Sequence, residues 1–335
     1  MIDRRYIENS KVLVTGGAGF IGSNLVDQLL EQNNEVVCLD NFATGKRENL
    51  EKAFTNPRFS LIEGDIRNYD DCIRSVNGCE YVLHQAALGS VPRSIKDPMT
   101  STDVNIGGFV KMLFASKEEG VKRFVYAASS STYGDSKNMP KVEHIIGNPL
   151  SPYAITKYAD EIIAKNFTDI YGIETIGLRY FNVFGRRQDP NGAYAAVIPK
   201  FVLQLMAHES PKINGDGSYS RDFTYIDNVI QANQLAAVAS YEDIQNVEVA
   251  SKSVFNVAFG ERTNLTELFN ILREYLSQYD SEISEVNAVY GENRAGDIPH
   301  SLANIEKGRS ILGYKPEYDI RKGLQEACKW YWENL

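Results

Sequence analysis

The stretch VLVTGGAGFIGSNLV near the start of the chain constrains the fold more than any other feature of the sequence. A strand is predicted to end at Val14, glycines fall at Gly16, Gly19 and Gly22, and a helix is predicted to follow. The first glycine permits a tight turn, the second lets the backbone approach a pyrophosphate, and the third allows the helix to pack closely on the strand. Ordinary turns also use glycine, but the strand before and the helix after favour a dinucleotide site whose phosphate meets the helix N-terminus.

An acidic residue, Asp40, ends the second predicted strand, EVVCLD. A carboxylate at this place hydrogen-bonds a ribose 2′-hydroxyl and repels a 2′-phosphate, so it favours NAD over NADP as the cofactor. Lys46 and Arg47 follow closely and either offset this charge or belong to a solvated loop. Asp65, in the segment EGDIR, is assigned either to the adenine edge of the cofactor or to the cap of the next helix.

Short apolar runs alternate with helix-like segments through the first half of the chain. The predicted strands are KVLVTG, EVVCLD, FSLIEGD, YVLHQAA and RFVYAAS, and residues 20–32, 68–77 and 103–119 have helical spacing. Because the apolar runs are continuous rather than alternating, they predict strands that are buried on both faces. The rhythm therefore predicts an α/β fold, with a Rossmann-type doubly wound parallel sheet.

After about residue 180 the rhythm gives way to turn-rich segments. VIPKFVLQLMAHE and GLQEACKWYWENL are predicted helices, and SVFNVAFG is a predicted strand that could return to the first sheet. We therefore predict an NAD-binding Rossmann domain at residues 1–182 and a smaller C-terminal lobe at residues 183–335. A segment near residues 225–260 is expected to return to the Rossmann sheet.

The composition excludes several classes of protein. The 335 residues include 44 acidic and 35 basic side chains, a net charge of -9, which argues against a nucleic-acid surface. No window reaches the ~18 apolar residues of a membrane span, and the segment MIDRRYIENS lacks the apolar region of a secretory signal. The four cysteines and four histidines show no metal-ligand spacing. We expect a cytoplasmic protein without metal, disulfide, nucleic-acid partner or membrane partner.

A second motif follows the fifth predicted strand, which ends in three serines in RFVYAASSSTYGD. In SPYAITKYADE, Tyr153 and Lys157 stand four residues apart, so on a helix they share one face. An ammonium beside a phenol favours the phenolate, which can serve as a general base or acid on a substrate hydroxyl. A Tyr-x-x-x-Lys pair also arises by chance on surfaces, but the glycine loop and the serine-bearing strand end favour the catalytic interpretation.

Together these residues resemble the extended short-chain dehydrogenase/reductase family. TGGAGFIG, HQAA, SSSTYG, YAITK and RYFNVFG occur in the order typical of the family, and the resemblance covers nearly the whole chain. It implies a tightly bound NAD and a nucleotide-sugar substrate that spans the two lobes. It also implies that Tyr153 is the catalytic base, that Lys157 positions it and binds the nicotinamide ribose, and that Ser129 assists proton transfer.

The resemblance and the glycine loop together imply two sets of binding residues. The expected cofactor-binding residues are Gly16, Gly19, Phe20, Ile21, Gly22, Asp40, Asn41, Asp65, Ile66, Gln85, Ala87, Asn105, Tyr153, Lys157, Tyr180 and Val183. The expected substrate-binding residues are Gly89, Ser90, Ser129, Ser130, Ser131, Tyr153, Asn182, Ala196, Val197, Arg221, Arg294, Asp297 and Ser301. Arg221 and Arg294 are expected to neutralise the pyrophosphate of the nucleotide-sugar.

The residues after Ser129 indicate which reaction of the family is expected. Dehydratases and decarboxylases of the family carry carboxylates there, whereas this chain has Ser130 and Ser131. Elimination requires a general acid and a base, so the resemblance implies C4 epimerisation of a UDP-sugar through a 4-keto sugar. Ser301 aligns with a position where a large aromatic excludes acetylated sugars, and a small residue leaves room for a 2-acetamido group. This residue and the segment GRRQDPNGAYAAVIPKF resemble those of bacterial UDP-N-acetylglucosamine 4-epimerases.

Alternatives remain open from the sequence. UDP-hexuronic acids, acetylated or not, are possible substrates, because Arg93 or His300 could meet a C6 carboxylate. A non-catalytic NAD-binding regulator on the same scaffold is the alternative of a different class. The resemblance also implies a homodimer formed by helices near residues 103–119 and 152–171. Polysaccharide biosynthesis is the expected use of the product, and synthesis of a surface polysaccharide or of another glycan stays open.

Overall fold

A seven-stranded parallel sheet forms the centre of the computed structural model, which describes residues 6–191, 196–246, 251–292 and 298–335. The strands are β1 (Lys11–Thr15), β2 (Glu35–Asp40), β3 (Phe59–Glu63), β4 (Tyr81–His84), β5 (Arg123–Ser129), β6 (Glu174–Tyr180), β7 (Val183–Phe184), β8 (Lys212–Asn214), β9 (Ser220–Arg221), β10 (Thr224–Tyr225), β11 (Val254–Val257), β12 (Thr263–Asn264) and β13 (Val289–Gly291). The order across the sheet is β11-β6-β5-β4-β1-β2-β3. This confirms the doubly wound parallel sheet predicted from the continuous apolar runs.

Twelve α-helices surround the sheet and build the C-terminal lobe within the part of the chain that the structure describes. They are α1 (Phe20–Glu31), α2 (Glu51–Phe54), α3 (Tyr69–Val76), α4 (Val91–Lys96), α5 (Pro98–Thr102), α6 (Phe109–Glu118), α7 (Pro152–Tyr171), α8 (Val197–Met206), α9 (Ile226–Val238), α10 (Tyr241–Gln245), α11 (Leu265–Leu276) and α12 (Ile320–Asn334). Short 3₁₀ turns lie at Arg47–Leu50, Ser130–Tyr133 and Ser281–Glu285, and a π-helical segment lies at Gly308–Leu312. No described helix is long and apolar enough to cross a membrane.

The helix predicted at residues 103–119 starts earlier and is less regular than its spacing suggested. Its first six residues, Asp103–Gly108, form a π-helical segment that joins α5 and α6 into one continuous helix. The helix begins at Pro98 because the Asp97 carboxylate accepts a hydrogen bond from the N–H of Thr100, and proline fits the first helical position. The sequence pattern did not reveal either feature.

Two apolar layers cover the two faces of the sheet. One contains α1, α9 and the helices of the C-terminal lobe, and the other contains α3, α6 and α7. Because both faces are covered, the inner strands contain continuous apolar runs, whereas the edge strand β3 is only partly buried. At the middle of the sheet, β1 lies between β2 and β4, and the connections from β1 and from β4 run in opposite directions. Such a switch point opens a crevice at the carboxyl ends of the strands, where ligands of this fold class bind.

Three small strand pairs belong to the second half of the chain. β7 pairs with β10, β9 with β12, and β8 with β13. The strand predicted in SVFNVAFG is β11, which pairs in parallel with β6 at the edge of the central sheet. The boundary at residue 182 stays a prediction.

Candidate active site

A cavity of about 390 Å³ opens at the carboxyl ends of β1 to β4. It is lined by Gly16, Gly19, Phe20, Ile21, Gly22, Leu39, Asp40, Asn41, Ala43, Thr44, Gly64, Asp65, Ile66, Arg67, Gln85, Ala86, Ala87, Leu88, Gly89, Thr100 and Val104. Eleven of the predicted cofactor residues are in this set, together with Gly89, which was predicted for the substrate. The cavity therefore brings the glycine loop, both predicted acids and the β4 end into one place.

The glycine loop needs glycine for steric reasons that the structure makes explicit. Gly16 has φ +66, and a Cβ there would stand 2.8 Å from the backbone nitrogen of Ala86. A Cβ on Gly22 would stand 2.1 Å from the carbonyl oxygen of Gly16. The start of α1 thus packs directly against the turn, and its first residues line the cavity, where the N-terminus of a helix can hold a pyrophosphate. The cavity fits the dinucleotide predicted for it.

Asp40 lies in the cavity wall but also organises the loop. Its Oδ2 accepts a hydrogen bond from the N–H of Ala18 at 2.9 Å, and its Oδ1 accepts one from the N–H of Phe42 at 2.8 Å. Burial raises the pKa of this carboxyl, and the two N–H groups oppose the shift. Each carboxylate oxygen can accept more than one hydrogen bond, so a ribose hydroxyl remains compatible with the site.

The two basic residues after Asp40 are engaged elsewhere. Lys46 pairs with Asp189 at 3.6 Å, and Arg47 pairs with Glu63. Neither basic residue lines the cavity. Of the two interpretations left open, the solvated loop is therefore the one that the geometry favours, and the wall retains its acidic character.

Asp65 lies in the cavity wall rather than at a helix cap. Its carboxylate pairs with Arg67 at 2.7 Å and accepts a hydrogen bond from Asn41 Nδ2 at 2.9 Å. The hydrogen bond from Arg67 lowers the pKa of Asp65 to about 2, and Asn41 contributes to the shift. Asn68, not Asp65, caps α3. The position agrees with the cofactor interpretation, while contact with adenine stays a prediction.

Several predicted cofactor residues lie behind the cavity wall. The Tyr180 hydroxyl is 3.1 Å from Gln85 Oε1 and is bonded to the Asn233 amide, and burial raises the pKa of Tyr180 to about 12. Asn105 accepts a hydrogen bond from the N–H of Leu88 at 2.8 Å, which fixes the loop after β4. These contacts support the wall. Val183 is a half-buried residue at the start of β7.

The helix α7 carries Tyr153 and Lys157 one turn apart on one face, as their spacing predicted. The Ser151 hydroxyl accepts a hydrogen bond from the N–H of Ala154, and Pro152 occupies the first helical position. The N–H of Tyr153 donates to the Ser94 hydroxyl at 3.0 Å, so α4 fixes the start of α7. Tyr153 is half-buried.

Lys157 is buried beneath the end of β5. Its Nζ donates to the carbonyl oxygen of Ala127 at 2.9 Å and lies 3.3 Å from Asp160 Oδ2. The ammonium therefore lies two residues from the strand-end Ser129 and one helical turn from the phenol. The catalytic roles of Tyr153, Lys157 and Ser129 stay a prediction.

The three serines form a compact hydrogen-bonded turn. Ser129 ends β5, and its Oγ accepts hydrogen bonds from the N–H of Ser131 at 3.1 Å and from the Ser131 hydroxyl at 2.8 Å. Because Ser129 Oγ acts as the acceptor in both, its own hydrogen is available to a substrate oxygen. Ser130 and Ser131 are half-buried and begin the 3₁₀ turn that packs on α7.

Three of the predicted substrate residues, Asn182, Arg221 and Ser301, lie in or contact the segment at β9. The Arg221 guanidinium donates to the carbonyl oxygen of Pro299 at 3.1 Å, and Asn182 donates to that of Asp222 at 3.0 Å. Ser301 is half-buried, and its N–H donates a hydrogen bond to the carbonyl oxygen of Ser220, the residue before Arg221. Ala196 caps α8 and Val197 begins it, whereas Ser90 caps α4. Arg294 and Asp297 lie outside the described residues.

The sequence did not single out four residues that organise the site. Ser94 is hydrogen-bonded to the first turn of α7, and Asn233 is hydrogen-bonded to Gln85 and Tyr180. Asp160 is paired with Lys157, and Asp222 connects three segments of the second lobe. Asp222 accepts hydrogen bonds from the N–H groups of Phe259, Gly260 and Ala303. The hydrogen-bond partners of Asn233 and Asp222 are far from them in the sequence, so the local sequence pattern cannot predict these contacts.

The charge clusters of the described ranges contain no group of three or more His, Cys, Asp or Glu side chains that could hold a metal ion. The four cysteines are buried free thiols, and burial raises their pKa values. Their chemistry is that of small apolar side chains.

The chain is similar in sequence and in fold to several solved 4-epimerases. The chain is similar to a UDP-N-acetylglucosamine 4-epimerase from Methanobrevibacter ruminantium, solved with UDP-N-acetylmuramic acid (38% identity, TM-score 0.90, 98% of this chain and 100% of that chain). It is similar to a UDP-glucose 4-epimerase from Thermotoga maritima, solved with UDP-glucose (35%, 0.86, 96% and 99%). It is also similar to a UDP-glucuronic acid 4-epimerase from Bacillus cereus, solved with UDP-glucuronic acid and NAD (28%, 0.82, 96% and 99%).

The family assignment rests on a match that covers most of the chain. Residues 12–258 match the NAD dependent epimerase/dehydratase family, and this range contains the glycine loop, the serine turn and the Tyr153/Lys157 helix. The chain therefore belongs to the NAD dependent epimerase/dehydratase family, and its cofactor is NAD.

Proposed function

We propose that this protein is a UDP-sugar 4-epimerase that interconverts UDP-N-acetylglucosamine and UDP-N-acetylgalactosamine. The observation that carries the reaction type is the serine turn beside α7. Tyr153, Lys157 and Ser129 supply a base, a positive charge and a hydrogen-bond donor, while Ser130 and Ser131 stand where elimination would need carboxylates. The similar solved structures include 4-epimerases of three different UDP-sugars, which supports epimerisation more strongly than any one sugar.

NAD, when bound, supplies the removal of hydride from C4 of the sugar and its return to the opposite face. The Tyr153 phenolate accepts the proton of the C4 hydroxyl in one direction and returns it in the other. Ser129 donates a hydrogen bond to the same oxygen, because its Oγ already accepts from Ser131. Lys157 brings a buried positive charge one helical turn along α7 from Tyr153, on the same face of the helix. The sugar has to present both faces of C4 between the two hydride steps, so it has to turn while the nucleotide stays bound.

The acetylated substrate is proposed from Ser301. Its side chain is small and half-buried beside Arg221, where the phosphates of a nucleotide-sugar are expected. A small side chain leaves volume for a 2-acetamido group, whereas an aromatic one would overpack the pocket. The similarity to a UDP-N-acetylglucosamine 4-epimerase at 38% identity supports the same sugar.

The direct test incubates the purified protein with UDP-N-acetylglucosamine and separates the products by anion-exchange chromatography. Formation of UDP-N-acetylgalactosamine is expected without added NAD, because the cofactor is regenerated in every cycle. UDP-glucose serves as the matched substrate without the acetamido group. Conversion of UDP-glucose but not of UDP-N-acetylglucosamine would overturn the substrate assignment, and conversion of neither would overturn the reaction for both sugars.

UDP-hexuronic acids are the second candidate substrates, on the observation of Arg93. This residue follows the Ser90 cap on α4, one position before Ser94, which holds Tyr153. Its guanidinium has no ion pair with any residue in the described ranges, and His300 is bonded only through Nδ1, to Ser220. A carboxylate at C6 of the sugar would pair with the Arg93 guanidinium or accept a hydrogen bond from the His300 ring. Parallel assays with UDP-N-acetylglucosamine and its uronic acid separate the candidates. Arg93→Met is expected to lower the activity on the uronic acid and to leave the activity on UDP-N-acetylglucosamine unchanged.

We also propose that the protein is a homodimer. Large apolar side chains are exposed along the neighbouring helices α4, α5 and α7, with Met99 81% exposed, Ile155 55% and Ile162 54%. Ile155 and Ile162 are seven residues apart, so they form one stripe that a second copy of the same stripe can cover. Light scattering is expected to give twice the chain mass. Ile155→Arg should give a monomer, and an unchanged mass would contradict this interface.

We place the protein in the cytoplasm, on the strength of its four buried free thiols, which a reducing compartment preserves. Fractionation of cells that express the tagged protein tests this placement. Recovery in a secreted fraction would contradict it.

A further inference from the structure

Asp160 is a buried acid on the catalytic helix that the mechanism above does not use. Its side chain is 0% exposed, and its Oδ2 lies 3.3 Å from Lys157 Nζ. Among the residues that the structure describes, its second oxygen, Oδ1, has no hydrogen-bond partner. A buried carboxylate costs free energy unless it is paired, so the pair with Lys157 is the interaction that keeps this acid in place.

We propose that Asp160 is a positioning residue for the reaction: its carboxyl group holds the Lys157 ammonium against the Ala127 carbonyl and sets how strongly that charge acts on the Tyr153 phenol. The inference rests on the proposed role of Tyr153 as the base. Lys157 has two described partners, the Ala127 oxygen at 2.9 Å and Asp160. A carbonyl alone leaves the ammonium free to turn, whereas two acceptors from different elements fix its Nζ.

Several charged and titratable side chains surround Asp160 and Lys157. Glu161, the next residue on α7, is committed to Arg179 on β6. Tyr126 on β5 experiences the charge of Asp160, and His84 on β4 experiences that of Lys157. Burial holds both of these rings in their neutral forms. The charge of Glu161 also reaches Tyr126, but Asp160 is the carboxylate that contacts Lys157 directly.

The direction of the effect follows from charge. A positive charge near a phenol favours the phenolate in general, and a negative charge 3.3 Å from the Lys157 ammonium offsets that positive charge. Burial raises the pKa of Asp160 to about 7, with the Lys157 ammonium opposing the shift. Asp160→Asn removes the negative charge while its amide oxygen can still accept a hydrogen bond from Lys157 Nζ, so the phenol should ionise at lower pH.

The experiment is a spectrophotometric titration of the Tyr153 phenol in the NAD-bound protein. Tyrosinate absorbance is recorded against pH for each protein and for its partner that also carries Tyr153→Phe, and the difference isolates Tyr153. For Asp160→Asn the midpoint is expected to fall by about one pH unit, and the acid limb of kcat against pH is expected to move with it. This titration requires no turnover, so a failed substrate assignment leaves it intact.

Controls separate positioning from general damage. Asp169→Asn makes the same charge change on the exposed part of α7, where Asp169 pairs with Lys165, and should leave the midpoint unchanged. Asp160→Glu keeps a carboxylate and should restore a midpoint near that of the original protein. Asp160→Ser, with space for a water molecule, is the second neutral variant if Asp160→Asn fails to fold. A folded neutral variant whose Tyr153 titrates at the original midpoint would overturn the proposal.

Discussion

Arg179 on β6 and Glu161 on α7 form a buried, two-pronged ion pair, with Nε 2.8 Å from Oε1 and Nη2 2.7 Å from Oε2. The same guanidinium donates to the carbonyl oxygen of Glu143 at 2.9 Å and lies 4.7 Å from the centre of the Tyr133 ring. Tyr133 ends the turn that follows Ser129. One arginine therefore connects the sheet, α7 and the serine turn.

Replacing Arg179 by methionine should leave Glu161 buried without a partner. We expect the free energy of unfolding to fall by about 3–5 kcal/mol, as when one member of a buried pair is removed. Urea unfolding followed by circular dichroism measures the change. The double variant Arg179→Met/Glu161→Leu should recover much of the loss. A single variant as stable as the original would show that the pair has no such role.

Tyr153→Phe should abolish turnover without releasing the cofactor. Loss of the base is expected to lower kcat by a factor of about 10²–10⁴, while the glycine loop that holds NAD stays intact. Turnover is measured by product separation, and bound NAD by its absorbance after denaturation. Loss of NAD from a folded variant would count against the role proposed for the phenol.

Ser301→Tyr should remove activity on acetylated sugars selectively. The larger ring fills the volume proposed for the acetamido group, and overpacking of this kind is costly. We expect kcat/KM for UDP-N-acetylglucosamine to fall by at least about tenfold relative to that for UDP-glucose. Ser310→Tyr, the same change at an exposed position, is the control. Equal losses on both sugars would mean that Ser301 does not border this pocket.

Gly22→Ala should empty the cofactor site. Its Cβ would lie 2.1 Å from the carbonyl oxygen of Gly16, so either α1 or the turn has to move. The matched control is Gly308→Ala, where the nearest atom to a new Cβ is 3.6 Å away. We expect purified Gly22→Ala to contain little NAD and Gly308→Ala to contain the usual amount. Normal NAD content in Gly22→Ala would contradict the assigned loop geometry.

Asp222 should make stability depend on pH. Burial raises its pKa to about 7, although three backbone N–H groups oppose the shift. Between about pH 4 and pH 7 the folded protein therefore binds the proton more tightly than the unfolded chain, so this contribution to stability is lost as pH rises. Relative to Asp222→Asn, the original protein should lose stability from pH 5 to pH 8, as measured by urea unfolding.

The control for this experiment is Asp216→Asn. The hydrogen bond from Ser218 lowers the pKa of Asp216, so its contribution is present at neutral pH and is lost only as the solution becomes acid. The difference between the original protein and Asp216→Asn should therefore stay level from pH 5 to pH 8. A level difference for Asp222→Asn as well would show that Asp222 does not titrate in this range.

The sequence predicted those parts of the site that depend on local pattern. The glycine turn, the acid after β2 and the Tyr153/Lys157 face all follow from spacing within single elements. Tyr180 illustrates what spacing cannot supply. Its hydroxyl meets Gln85 and Asn233, which come from β4's end and from α9, and only the folded chain brings these three together.

Asp160 and the π-helical segment were missed for different reasons. Asp160 stands three residues after Lys157, so its proximity was available from helix geometry, but its complete burial depends on α7 packing against the sheet. Asp103–Gly108 has the apolar spacing of an ordinary helix, and its extra residue per turn arises where Asn105 reaches Leu88 and Thr156. Tertiary contacts decide both features.

The position of β11 affects the order in which the protein can be assembled during synthesis. β6 ends at Tyr180, but the strand that covers its outer edge begins at Val254. At about 5–20 residues per second, a ribosome needs roughly 4–15 s to make the intervening chain. Until then β6 presents an open hydrogen-bonding edge, which invites pairing with other chains. The nascent protein is therefore most exposed to misassembly after its glycine loop and α7 have already been synthesised.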